Sequence, residues 1–153
     1  MGEWLILILL TIHLLAAMAW VGGLIFFMFV AIPVTRRHPE LGLAALFGRG
    51  FRPVAWSALG TLLVSGIGLL AVDGLTGAVL TSKVFWRTAF GTTLALKLLL
   101  VLVVVVLSAW HDIRLGPRAE QHGATGAVRW VGRVVGLLSL AIVIAGVALA
   151  NGR

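Results

Sequence analysis

The segment TIHLLAAMAWVGG, residues 11–23, lies inside an apolar run that extends over residues 4–33. This run exceeds the roughly 20 apolar residues that an α-helix needs to cross a hydrocarbon core. His13 is the one ionisable side chain within it, and an ionisable residue at that depth is costly to bury in lipid. We therefore predict a transmembrane helix over residues 4–33, with His13 as a candidate functional residue.

The composition of the whole chain also indicates an integral membrane protein. Hydrophobic residues make up 61% and charged residues 11% of the 153 residues, whereas soluble domains average roughly 45–50% apolar and about 25% charged residues. The absence of cysteine excludes disulfides, thiolate metal sites and cysteine-attached haem. The net charge of +7 is attributed to basic loops that face anionic lipid, because no basic run is long enough to bind nucleic acid.

Three further apolar runs are each long enough to cross a membrane. We predict helices over residues 51–72, 84–111 and 127–150, which makes residues 1–153 a single transmembrane domain and an all-α four-helix bundle. Pro33 and the polar residues after it are expected to end the first helix, and residues 41–50 are expected to form a short interfacial helix or a loop. Recurring glycine and serine in the second and fourth runs are typical of closely packed membrane helices.

Lysine and arginine are unevenly distributed between the two ends of the predicted helices. The first and third connections, with their helix edges, carry eight: Arg36, Arg37, Arg49, Arg52, Arg114, Arg118, Arg129 and Arg133. The second connection and the C-terminus carry three: Lys83, Arg87 and Arg153. Because positive charge remains in the cytoplasm, the pattern predicts that both termini face outward, in a multi-pass protein of the bacterial inner membrane.

Lys97 is a second charged residue inside an apolar run. It lies ten residues after Arg87, and His13 lies nine residues after Trp4. At 1.5 Å per residue both are roughly 13–15 Å from the outer face, so the first and third helices could bring them together. The simpler explanations are a neutral histidine that bonds a neighbouring carbonyl or hydroxyl, and a lysine that extends towards the interface.

Two cofactors suit a histidine inside a helical bundle. In the first hypothesis, His13 is an axial ligand of a b-type haem, and Lys97 is a second ligand or a partner of a haem propionate. In the second, His13 binds copper, for which imidazole and thioether are suitable ligands. Met18 is roughly 140° around the helix from His13, and Met28 is about 22 Å further along it. The sparse methionines therefore favour haem over copper.

Trp20 and His111 complete the set of candidate cofactor-binding residues. Trp20 is seven residues after His13 and nearly on the same face, where it either packs in the core or forms an aromatic wall beside a haem. His111 ends the third helix next to Asp112, either as an interfacial polar residue or as part of a second metal site, haem site or proton entry route. Other polar residues on this side are interpreted as interfacial or as lipid-phosphate contacts: His38, His122, Arg129 and Arg133.

The residues His13, Trp20 and Gly23 in IHLLAAMAWVGGL resemble the first helix of the CopD-type membrane domain and of the related HemJ-type protoporphyrinogen oxidases. The pair Lys97-Leu98 resembles a Lys-Leu pair in the third helix of both. This resemblance implies a four-helix membrane protein of copper homeostasis or of b-type haem and porphyrin chemistry. The HemJ pattern would carry over His13 as a haem ligand and Lys97 as an essential polar residue.

The sequence leads to three hypotheses for the function. It contains no HExxH, GxSxG or Walker motif that would indicate a hydrolase or a kinase. The first is a haem b protein that passes electrons between haem and a quinone or porphyrin, which would make it a membrane oxidoreductase. The second is copper transport or copper resistance with His13 as a relay ligand. The third is an accessory subunit of a larger membrane complex, or a homo-oligomer, without chemistry of its own.

Overall fold

The computed structural model describes residues 2–38, 41–75, 77–115 and 126–151, without the side chains of residues 2, 44, 45, 127–129 and 151. Its α-helices are α1 (Gly2–Phe26), α2 (Ile32–Arg37), α3 (Leu43–Val72), α4 (Gly77–Thr81), α5 (Ala89–Trp110) and α6 (Gly126–Asn151). The π-helical turns Phe27–Ala31 and His111–Leu115 follow α1 and α5, and the 3₁₀ turn Phe85–Arg87 precedes α5. No strand occurs in these ranges.

Four helical stretches of the described chain are long and apolar enough to cross a membrane: Glu3–Arg37, Leu46–Val72, Ala89–Leu115 and Trp130–Ala150. Large apolar side chains cover their outer faces, as in Val64 and Ile144, which are 72% and 70% exposed. Such faces are stable against hydrocarbon and unstable against water. The prediction of an all-α four-helix membrane bundle is confirmed, whereas the outward orientation of the termini stays a prediction.

The first membrane stretch continues past Pro33, where the sequence predicted its end. The π-helical turn Phe27–Ala31 leads directly into α2, and Pro33 occupies the first turn of that helix. Proline removes one backbone donor, but its fixed φ is close to the helical value, so the chain keeps its helical path through Pro33. The helix ends at Arg37, and the chain turns at His38.

The second membrane helix begins earlier than the predicted residue 51. Helix α3 starts at Leu43 after Gly42, which adopts the left-handed φ of 59°. Most of residues 41–50 thus belong to α3 and do not form a separate interfacial helix. Pro53, expected at a first helical position, lies inside α3, where it leaves the carbonyl four residues earlier without its usual donor.

The third membrane helix begins later than the predicted residue 84. Thr88 caps α5, and its hydroxyl accepts a hydrogen bond from the Gly91 N–H at 3.0 Å. Gly91 is needed here because a Cβ at this position would overlap the backbone carbonyl of Phe85. The 3₁₀ turn Phe85–Arg87 is thereby packed directly against the start of α5.

Helix α3 ends at Asp73 in a Schellman motif. The Gly74 N–H donates to the Ala71 carbonyl and the Leu75 N–H to the Leu70 carbonyl, at 3.2 and 3.0 Å. Gly74 has a φ of 79°, which a residue with a side chain rarely adopts. Asp73 is the C-cap residue of α3.

The most extensive helix contacts are α1 against α3 and α5 against α6, and α1 also contacts α6. The buried core includes Trp20, Leu59, Val104 and Val135. We call the end of the bundle with the start of α1 and the end of α6 the terminal end. The opposite end, the basic end, carries exposed arginines: Arg36, Arg37, Arg49, Arg52, Arg114 and Arg133.

Candidate functional site

His13 lies half-buried on the face of α1 that packs against α3. Its Nδ1 is 2.8 Å from the hydroxyl of Ser65, a residue that is only 2% exposed. The imidazole can lie this close to α3 because the adjacent residue is Gly66, where an added Cβ would be 3.5 Å from His13 Cε1. This contact fits the simpler interpretation, in which the histidine bonds a neighbouring hydroxyl. It involves Nδ1 and assigns no role to Nε2.

Ser65 is itself held by the backbone of α3. Its Oγ is 2.6 Å from the Thr61 carbonyl and 3.4 Å from the Leu62 carbonyl. A serine that bonds back to the carbonyl four residues earlier has little rotational freedom. The position of the His13 ring is therefore defined by a buried and rigid partner.

Lys97 lies half-buried on α5, and its ammonium is directed towards α6. A Cβ at Gly146 would be 3.5 Å from Lys97 Nζ, so the small residue makes room for the lysine tip. The Lys97 charge also lies close enough to the His13 ring for the two groups to interact electrostatically. The structure thus brings the two predicted residues into one region near the terminal end of the bundle.

Trp20 is a core residue that is 7% exposed. Its indole N–H donates to the hydroxyl of Ser139 on α6 at 3.0 Å. An indole with a buried hydrogen-bond partner is a typical packing arrangement. Of the two interpretations given for Trp20, the observed contacts correspond to packing.

His111 lies at the other end of the bundle from His13. It begins the π-helical turn after α5 and lies fourteen positions after Lys97, roughly 21 Å along the helix. His13 and His111 therefore do not belong to one site. Within the described ranges, no three side chains from histidine, cysteine, aspartate and glutamate are grouped so that they could hold a metal ion.

The neighbour of His111 has a structural role that the sequence did not reveal. Asp112 Oδ2 accepts hydrogen bonds from Arg52 Nε at 2.6 Å and from Trp56 Nε1 at 2.9 Å. These bonds join α3 to the end of the third membrane stretch. Asp112 had been considered as a partner of His111 in a second metal site, and its carboxylate instead bonds two side chains of α3.

Those of the remaining predicted polar and sulfur side chains that the structure describes lie apart from His13. Met18 is 69% exposed on the outer face of α1, and the methyl of Met28 packs near Gly136, where a Cβ would be 3.1 Å from it. His38 and Arg133 are exposed at the basic end. His122 and the side chain of Arg129 lie outside the described residues.

A groove of about 500 Å³ runs along α1 and α3. Its lining is mostly apolar and includes Ala16, Ala19, Ala58 and Thr61, but not His13. The groove therefore does not provide a haem cavity around the candidate ligand.

Ser65, Gly66 and Gly146 are the site residues that sequence reasoning missed. Ser65 and Gly66 had been interpreted only as small residues for close packing. An antiparallel count would have identified them, because Ser65 lies seven residues before the end of α3 at Val72, near the depth of His13. No pattern in the sequence relates Gly146 to Lys97, since that contact depends on how α5 packs on α6.

Residues 44–150 match the family model CopD, described as copper resistance protein D. The matched range contains Ser65 and Lys97 but begins after His13 and Trp20. Over 146 residues the chain is 32% identical to an uncharacterized protein from Aquifex aeolicus (strain VF5), with 94% of each chain covered. No solved structure matches the chain.

Proposed function

Because the chain belongs to the copper resistance protein D family, we propose that it acts in copper homeostasis as a multi-pass protein of the bacterial inner membrane. Four membrane-spanning helices supply the location that such a role needs. The proposed activity is the movement of copper ions into or across the membrane. Copper is the cargo in this proposal and not a permanently bound cofactor.

The observation that carries the proposal is the imidazole of His13 within an apolar membrane helix, held at Nδ1 by Ser65. Imidazole is a good ligand for copper in both of its common oxidation states. An ionisable side chain at this depth in a membrane helix marks a functional site by default. We therefore propose His13 as the residue that contacts copper.

The surroundings of His13 favour brief binding of a copper ion over its storage. Met18 faces outward and Met28 packs near Gly136, so neither thioether supplements the imidazole. The Lys97 charge lies within electrostatic range of His13 and, when the amine is protonated, repels a bound cation. A relay ligand that releases its ion quickly is consistent with both features.

Growth under copper stress tests the proposal. A bacterial strain that lacks the gene would carry plasmids for the wild-type protein, for His13→Ala or for the control His38→Ala, which removes an exposed histidine at the basic end. We expect His13→Ala to behave like the empty plasmid in both copper tolerance and cellular copper content, and His38→Ala to behave like the wild type. Wild-type behaviour of His13→Ala at equal expression would refute the role of His13.

The b-type haem hypothesis, with its quinone or porphyrin partner, stays a prediction, because the family description names copper and not haem. An absorption spectrum of the natively purified protein distinguishes the two. The copper proposal expects no Soret band. A Soret band that shifts on reduction with dithionite and disappears in His13→Ala would replace the copper proposal with the haem hypothesis.

A further inference from the structure

The contact between His13 and Ser65 continues into the backbone of α3. His13 Nδ1 is 2.8 Å from Ser65 Oγ, and Ser65 Oγ is 2.6 Å from the Thr61 carbonyl oxygen. Ser65 is almost completely buried, so water does not compete for either bond. Three polar atoms thus form a short chain inside an apolar interface.

The hydrogens in this chain can be assigned from the chemistry of the three groups. A carbonyl oxygen only accepts hydrogen bonds, and a serine hydroxyl has a single hydrogen to donate. The Ser65 hydrogen therefore belongs to the bond with Thr61. The Ser65 oxygen then has only lone pairs to offer His13, so the hydrogen between them must be on Nδ1.

A second acceptor supports the same assignment. The Leu62 carbonyl lies 3.4 Å from Ser65 Oγ and is a second backbone acceptor towards which the Ser65 hydrogen can point. If Nδ1 carried a lone pair instead, it would face the lone pairs of Ser65, unless the hydroxyl abandoned its bond to Thr61. The Ser65 and Thr61 oxygens would then lie 2.6 Å apart with no hydrogen between them.

We infer that Ser65 is a positioning residue that holds neutral His13 as the Nδ1–H tautomer, which makes Nε2 the nitrogen that binds a ligand. A neutral imidazole has one N–H and one lone pair, and the hydrogen bond to one nitrogen determines which of them can ligate a metal. The ring atoms nearest to Gly66 are Cε1 and Nδ1, so Nε2 is the nitrogen further from α3. The ligand class is a soft monovalent cation such as Cu(I), and this part rests on the proposed function.

Nitrogen NMR tests the tautomer without copper. The full-length protein, labelled with ¹⁵N-histidine in lipid nanodiscs, should show His13 with a protonated Nδ1 and a non-protonated Nε2. His13→Gln identifies the signal by its loss. A wild-type His13 that is protonated at Nε2 and not at Nδ1 would overturn the inference.

Substitution of Ser65 tests the positioning role. Ser65→Ala should lower the ratio of the Nδ1–H to the Nε2–H tautomer roughly tenfold, because it removes one buried hydrogen bond. Ser65→Thr keeps a hydroxyl and should preserve the ratio, as should Ser57→Ala, which removes an exposed serine from the same helix. An unchanged ratio in a folded Ser65→Ala protein would contradict the role of Ser65.

The ligating nitrogen is tested with Ag(I), a stand-in for Cu(I) that is not oxidised in air. Addition of Ag(I) to the labelled wild-type protein should shift the His13 Nε2 signal much more than the Nδ1 signal. A larger shift at Nδ1 would overturn the assignment of Nε2. An Ag(I) shift confined to the other histidines would refute the contact of His13 with the metal, and thus the proposed function, while the tautomer measured without metal would stand.

Discussion

The indole N–H of Trp20 donates to the Ser139 hydroxyl at 3.0 Å, and this bond joins the first membrane helix to the last. Both residues are buried, at 7% and 3% exposure. Helix α1 packs mainly on α3, and α5 packs mainly on α6, so this bond joins the two helix pairs. The contribution of this bond to the free energy of unfolding can be measured directly.

Trp20→Phe should lower the free energy of unfolding by about 1–3 kcal/mol, because the Ser139 hydroxyl remains buried without its donor. Thermal unfolding of the detergent-solubilised protein, followed by circular dichroism, measures the change. Trp4→Phe is the control, since Trp4 is 73% exposed. Addition of Ser139→Ala to Trp20→Phe should recover part of the loss, and an additive double variant would show that the two side chains are not coupled.

Gly22 and Gly23 form a matched pair of adjacent glycines with opposite surroundings. A Cβ at Gly23 would overlap the ring of Phe51, which also packs on Phe27 with ring centres 5.1 Å apart, whereas a Cβ at Gly22 meets nothing within 4 Å. Gly23→Ala should therefore cost about 1–2 kcal/mol of stability through overpacking. Gly22→Ala should be neutral or stabilising by up to about 1 kcal/mol. Equal midpoints of thermal unfolding for the two variants would contradict this difference.

Asp112→Ala should destabilise the protein by about 1–2 kcal/mol, because it removes the acceptor of both Arg52 and Trp56. Asp112→Asn should cost less, since its amide oxygen still accepts the Trp56 N–H. A double-mutant cycle between Arg52 and Asp112 should give a coupling of only about 0.5–1 kcal/mol, because the Arg52 side chain is 52% exposed. That coupling should fall as salt is raised, and a salt-independent value would argue against an ion pair.

Met18→Leu should leave copper tolerance unchanged. Met18 is 69% exposed on the outer face of α1, so lipid surrounds its side chain and His13 cannot share a ligand with it. The measurement is growth across a copper series in the strain described for His13→Ala. Loss of tolerance in Met18→Leu at normal expression would show that copper approaches this face of the helix.

The outward orientation of both termini is tested by labelling single cysteines, because the chain contains none. Ser82→Cys lies in the connection between α3 and α5, and Leu41→Cys lies in the connection before α3. The charge pattern predicts that a membrane-impermeant maleimide labels Ser82→Cys in intact spheroplasts and labels Leu41→Cys only after lysis. The opposite labelling pattern would show that both termini face the cytoplasm.

The sequence alone predicted some residues of the candidate site and not others. The cost of an ionisable group in hydrocarbon identified His13 and Lys97, and counting along two helices of the same direction predicted their common depth. The partners of these residues, Ser65 and Gly146, escaped prediction. Each lies on a different helix, and a polar or small residue in a membrane helix has several explanations until its neighbour is known.

The boundaries of the helices likewise could not be predicted fully from the sequence. Pro33 was expected to end a helix and instead lies in the first turn of α2, which follows a π-helical turn. Residues 41–50 were expected to form a short interfacial helix or a loop and instead belong mostly to α3. Local propensity is weak near a membrane interface, where packing against a neighbouring helix determines whether another turn is stable.

The sequence by itself determined that the chain crosses a membrane four times as helices, since backbone groups in hydrocarbon must bond within their own segment. It also determined which charged side chains lie within that apolar region. Only the tertiary structure decided what each of them contacts: His13 meets Ser65, Lys97 approaches Gly146, and Asp112 joins Arg52. The reason is that helix rotation and pairing in lipid depend on close fit between faces, and many rotations of one apolar helix satisfy the sequence pattern equally well.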